Sequence, residues 1–127
     1  ISNQSDNTEA DQPVFDAARI KRIFTPKAAT LAKIVEVSQK NFHKLMAELE
    51  KDLASADFKS GARCVHTIKG SAANLGGNLV ADIALKLEEA IIAQNAEKIN
   101  ELKSLLTLHY QDFYQAIKRV SDELNKK

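Results

Sequence analysis

CVHTIKGSAANLGG, residues 64–77, decides how this chain folds and poses a problem in doing so. Val65, Ile68, Ala72 and Leu75 recur at spacings of three and four, the signature of a helix with one buried face. Gly70 nevertheless sits in the interior of that helix, where glycine costs about 1 kcal/mol relative to alanine. At about 100° per residue, His66 falls roughly 140° from the centre of the apolar stripe, which turns it toward solvent. Lys69 and Gly70, three and four residues on, are its neighbours on the helix surface. The glycine thus leaves bare backbone beside an exposed imidazole, where a docking body approaches without meeting a side chain.

The rest of the chain reads outward from this helix. Only four glycines and two prolines occur, and nothing but glycine interrupts the chain after Pro26, so the simplest fold class is all-α. Residues 1–12, ISNQSDNTEADQ, are polar and read as a flexible linker, with the folded domain spanning 13–127. Val14, Phe15, Ala18, Ile20, Ile23 and Phe24 suggest a short first helix capped by Asp16. Thr25-Pro26 reads as the start of a long helix, with proline at its first position. Its stripe is Leu31, Ile34, Val35, Phe42, Leu45, Leu49 and Leu53, interrupted at Ser38. Ser55-Ala56-Asp57 makes a turn, and Asp57 caps the histidine helix.

That helix is expected to end at Gly76-Gly77. A further helix over 78–93 turns Leu79, Ile83, Leu87 and either Ile91 or Ile92 inward. After a turn at Gln94-Asn95, Ile99, Leu102, Leu106, Tyr110, Phe113, Ile117, Val120 and Leu124 mark the last helix. Four long helices joined by short turns imply an antiparallel up-down four-helix bundle, with the short N-terminal helix capping one end.

Composition narrows the function classes. With 18 basic and 17 acidic residues among 127, the net charge is +1, and charge gives no support to nucleic-acid or membrane binding. A single cysteine, Cys64, excludes an internal disulfide and makes a reducing cytoplasm the default. No apolar run approaches the roughly 18 residues that span a bilayer. A chain that opens on Ile1 rather than Met suggests a fragment of something longer, or a processed or engineered start.

An imidazole of ordinary pKa is largely neutral at pH 7, so one ring nitrogen keeps a lone pair able to attack an electrophilic phosphorus. Lys69 offers a positive charge to phosphoryl oxygens. For His66 to present its far ring nitrogen, a carboxylate on an adjacent helix is the natural acceptor for the near one.

The run from His66 through Lys69-Gly70-Ser71 to Gly76 resembles the His-x-x-Lys-Gly-Ser signature of histidine-containing phosphotransfer (HPt) domains. Leu53-Ala54-Ser55-Ala56-Asp57 resembles the family's turn into the phosphorylated helix, and Leu87-Glu88 its Leu-Glu pair. The resemblance covers about residues 14–124. It implies a phosphorelay carrier in which His66 takes a phosphoryl group from one receiver-domain aspartate and passes it to another. Lys69 then stabilises the phosphoryl group, Gly70 admits the receiver, and Glu88, twenty-two residues after the histidine, orients the ring, with Glu89 adjacent as the competing assignment.

By the same resemblance the isolated domain is not an enzyme, carries no cofactor or metal, and leaves Mg²⁺ to the partner receiver. The polar leader resembles the linker before a C-terminal HPt domain of a bacterial hybrid sensor histidine kinase. That parent would be anchored in the inner membrane, with this part cytoplasmic and monomeric. A free-standing HPt protein and an interaction-only bundle that docks a receiver without phosphotransfer are the other readings.

Several residues carry weaker signals. His43, His109 and Cys64 show no close ligand spacing for zinc. Cys64 reads as a buried small residue rather than a redox switch. Lys86 is a candidate second phosphate contact across the helix pair, and Leu79 and Ile83 are either core or part of an exposed docking patch.

Overall fold

The computed structural model describes residues 13–126, so the expected linker over 1–12 lies outside the described residues. Five α-helices follow one another among the described residues: α1 (Ala17–Phe24), α2 (Ala28–Ala54), α3 (Phe58–Asn74), α4 (Asn78–Ile92) and α5 (Ala96–Leu124). Among the described residues there is no strand. Three caps stand where side-chain chemistry puts them. Asp16 accepts from the Arg19 amide, Asp57 from that of Ser60 and Asn95 from that of Lys98, each at 3.2 Å.

Thr25-Pro26 does not open the long helix. Thr25–Lys27 forms one 3₁₀ turn and α2 starts at Ala28. Proline supplies no amide and serves equally in the first turn of either helix type, so its position marks a helix start only to within a few residues.

Each of the four larger helices meets its neighbours in turn, α2 against α3, α3 against α4, α4 against α5, and α5 back against α2. Asn125, just past α5, donates to the Ala28 carbonyl at the start of α2. Toward the other end of α2, Glu50 accepts from Lys103 at 2.7 Å. Leu31, Leu49, Val65, Leu87, Ile91 and Leu106 are fully buried along the shared axis. Of the residues expected inward on α4, Ile83 and Leu87 are buried and Leu79 is half-buried. Of the Ile91-Ile92 pair it is Ile91 that turns in while Ile92 is 65% exposed, and Val80, not expected there, is buried as well.

Helix length sets the rest of the shape. At 1.5 Å per residue α2 and α5 run about 40 Å, whereas α3 and α4 run only about 25 Å. The overhang at the far end of the short pair is covered by α1, whose Ile20 is fully buried. Backbone bonds fasten this N-terminal segment to the α3–α4 turn: Asp16 donates to the Gly76 carbonyl and Leu79 to that of Val14. Arg19 Nη2 donates to the Ala73 carbonyl at 3.0 Å.

The turn itself is a Schellman closure. Gly77 donates to the Ala72 carbonyl and Gly76 to that of Ala73, with Gly76 at φ +77°, where a side chain is strained.

Candidate functional site

The α3 stripe is buried as its spacing demands, with Val65, Ile68, Ala72 and Leu75 all at 6% exposure or less. The opposite face therefore points outward, and the His66 side chain is 62% exposed. On α4, Leu87 is fully buried, and Glu88, the next residue, emerges at the α3–α4 seam with its side chain 19% exposed. Its carboxylate straddles the near ring nitrogen of His66: Nδ1 lies 3.3 Å from Oε2 and 3.4 Å from Oε1. Lys69 Nζ lies 3.7 Å from the same Oε1. One carboxylate on α4 thus reaches two side chains one turn apart on α3.

A carboxylate only accepts hydrogen bonds, so this contact favours the tautomer with hydrogen on Nδ1. The lone pair then sits on Nε2, on the far side of the ring from Glu88. Lys69 is half-buried and held at the seam, one turn along from the ring. A Cβ built on Gly70 meets nothing within 4 Å, so the backbone beside His66 is open. The arrangement presents a nucleophilic nitrogen, a nearby cation and a clear approach.

The sequence-expected groups divide plainly. His66, Lys69 and Glu88 come together, with Gly70 on the adjoining surface. Glu89 is exposed beyond the seam. Lys86 does not join them: it pairs with Asp82 in its own helix at 3.4 Å, and it lies two positions before Glu88, about 200° around the helix. Ile83 belongs to the core and Leu79 is packed against it.

Sequence reasoning missed that Lys69 shares Glu88 with His66, because the phase between two helices carries no local sequence signal. Among the described residues no group of three or more His, Cys, Asp or Glu side chains is placed to hold a metal ion.

Cys64 is buried, as its reading as a small core residue requires. Its thiol donates to Asp52 Oδ2 at 3.6 Å, and Ser60 Oγ donates to the same oxygen at 2.7 Å. Burial first and the Asp52 charge second push the thiol up to about 11. It therefore stays protonated near neutrality and is a poor nucleophile.

On the flank of α3 away from Glu88, a cavity of about 260 Å³ opens between α3, α2 and α5. Its floor is aromatic. Phe42 and Tyr110 stack with centroids 3.7 Å apart, and Phe113 meets Tyr110 edge-on.

Compared with known families, residues 33–120 match the family model described as Hpt domain, which is well over half of the chain. No curated protein and no solved structure matches it.

Proposed function

Because this chain belongs to the Hpt domain family, whose members act in phosphorelays with receiver domains, we propose that His66 is its phosphoryl-accepting residue. The observation that carries this is the Glu88 contact at Nδ1, which favours the tautomer whose lone pair is on Nε2, in a side chain that is 62% exposed.

The Nε2 lone pair attacks the phosphorus of an aspartyl phosphate on a docked receiver. The bond from phosphorus to the aspartyl oxygen breaks, and that carboxylate leaves with the electron pair. As the N–P bond forms, positive charge grows on the ring, and the Glu88 carboxylate beside Nδ1–H stabilises it. Lys69 turns from Glu88 toward the incoming phosphoryl oxygens. Gly70 lets the receiver backbone come close enough for in-line attack. Reversal with a second receiver passes the group on.

The chain is then a carrier rather than an enzyme, with Mg²⁺ supplied by the receiver. Its scaffold is an antiparallel up-down bundle within the described residues 13–126. The contacts of Asn125 with Ala28 and of Lys103 with Glu50 support that direction for α2 and α5, and the short turns support it for the others. In this reading it is a monomeric, cytoplasmic C-terminal module of a hybrid sensor kinase anchored in the inner membrane.

The test is transfer from a radiolabelled, aspartyl-phosphorylated receiver to this chain and to His66→Gln. Acid-labile, base-stable label on the wild type alone is the expected result. A folded wild type that takes no label from any receiver but still binds one would instead be an interaction-only bundle.

A further inference from the structure

The cavity on the α2 side of α3 has a cause in the sequence. On α2, Ser38 stands where the apolar stripe calls for a large residue, and on α3 the facing residues are Ser71 and Ala72. Small side chains thus oppose each other across the helix pair. The space they leave, about 260 Å³, is floored by Phe42, Tyr110 and Phe113. An apolar cavity of 150 Å³ already accepts a benzene ring.

Position gives the occupant. Thr67 and Ser71, both exposed, form the α3 side of the mouth. They lie about 100° and 140° around the helix from His66, on the same side as Gly70 at about 40°. A body that reaches His66 across Gly70 therefore extends over the mouth. On α2 the mouth carries one charge of each sign, Lys44 and Glu48, beside Asn41, a polar rim around an apolar centre such as protein interfaces present.

We propose that this cavity is an anchor pocket for the receiver: one large aromatic or aliphatic side chain from the receiver's docking surface inserts between α2 and α3 while its aspartate faces His66. The proposal rests on the phosphocarrier reading and adds to it where binding specificity resides. A buried central anchor surrounded by a polar rim is the arrangement that concentrates binding energy. Receivers with a small or charged residue at the matching point are then poor partners.

The experiment fills the pocket from α2, the helix that bears none of the phosphotransfer residues. Ser38→Phe and Ser38→Ala are compared with wild type in two reactions. The first is labelling of His66 by phosphoramidate, in which imidazole attacks phosphorus and ammonia leaves. The second is transfer from a receiver that labels wild-type His66.

Ser38→Phe is expected to keep the phosphoramidate rate and lose about tenfold or more in kcat/KM with the receiver. Ser38→Ala should match wild type in both. Equal receiver transfer by folded Ser38→Phe overturns the pocket and leaves the carrier reading intact. Failure of every receiver to label wild-type His66, with phosphoramidate still active, overturns the carrier reading itself.

Should Ser38→Phe not fold, receiver titration of the wild type followed by NMR decides. An inserted side chain shifts the Tyr110 and Phe113 ring resonances, and unmoved rings at saturation overturn the proposal.

Discussion

Gly70, inside α3, and Gly77, in the turn that follows it, lie seven residues apart, and their surroundings are opposite. A Cβ on Gly70 would meet nothing within 4 Å, whereas one on Gly77 would come within 2.9 Å of the Phe113 ring. Gly77 is glycine because the α3–α4 turn packs directly on α5. Gly70 has no such reason: the fold would accept a side chain there and the helix would gain by it. A glycine that weakens a helix without relieving any internal contact points outward, to something the chain meets.

The same contrast separates the two flanks of α3. Toward α4 the seam is closed and charged, with Glu88 reaching both His66 and Lys69. Toward α2 it is open over an aromatic floor.

The largest test of this contrast is Gly77→Ala. Forcing a methyl group against Phe113 is expected to cost about 2 kcal/mol, read as a lowered midpoint in urea, with label uptake by the folded fraction unchanged. An unchanged midpoint would mean the turn is looser than its contacts indicate.

Glu88→Ala comes next. Removing the acceptor at Nδ1 frees the ring to rotate and to exchange tautomers, and transfer from a receiver should slow about tenfold at constant fold stability. Glu88→Gln keeps a hydrogen-bond acceptor and should recover part of the rate. Equal rates for all three proteins would detach Glu88 from the chemistry.

Gly70→Ala should reverse the sign seen at Gly77. The helix is expected to gain roughly 0.5–1 kcal/mol while receiver transfer slows. Faster or unchanged transfer in the stabilised protein would break the comparison at its centre.

Near neutral pH the smallest effect belongs to Cys64. Its thiol is raised in the folded protein from 9.0 to about 11, so folding stability from this group is complete below about pH 9. Above that the unfolded thiol ionises while the folded one does not, and stability falls as pH rises through 11. Cys64→Ala should flatten the pH dependence of the urea midpoint between pH 9 and 11, and an identical slope would place the cause elsewhere. Tyr110, raised by burial to about 12, adds a similar loss at higher pH in both proteins.

Much of the fold was legible because helix signals are local. Asp16 and Asp57 cap as their positions before an apolar run suggest, because a short polar side chain reaches the amide three residues on. Gly76 closes α3 because a left-handed residue is needed there. The reading erred at one point and stayed open at another, each where a local rule is degenerate. Pro26 fits the first turn of either helix type, and a run such as Ile91-Ile92 leaves two phases open until a neighbour selects one.

His66 and Gly70 could be placed on the outer face of α3 from sequence alone, since one helix's periodicity fixes which residues share a face with its apolar stripe. What only the tertiary structure decided lies between helices. It chose Glu88 over Glu89, bound Lys69 to that same carboxylate, turned Lys86 away, and left a cavity where Ser38 faces Ala72. The rotation and axial offset of one helix against the next come from how all the buried side chains pack at once, so no stretch of sequence carries them by itself.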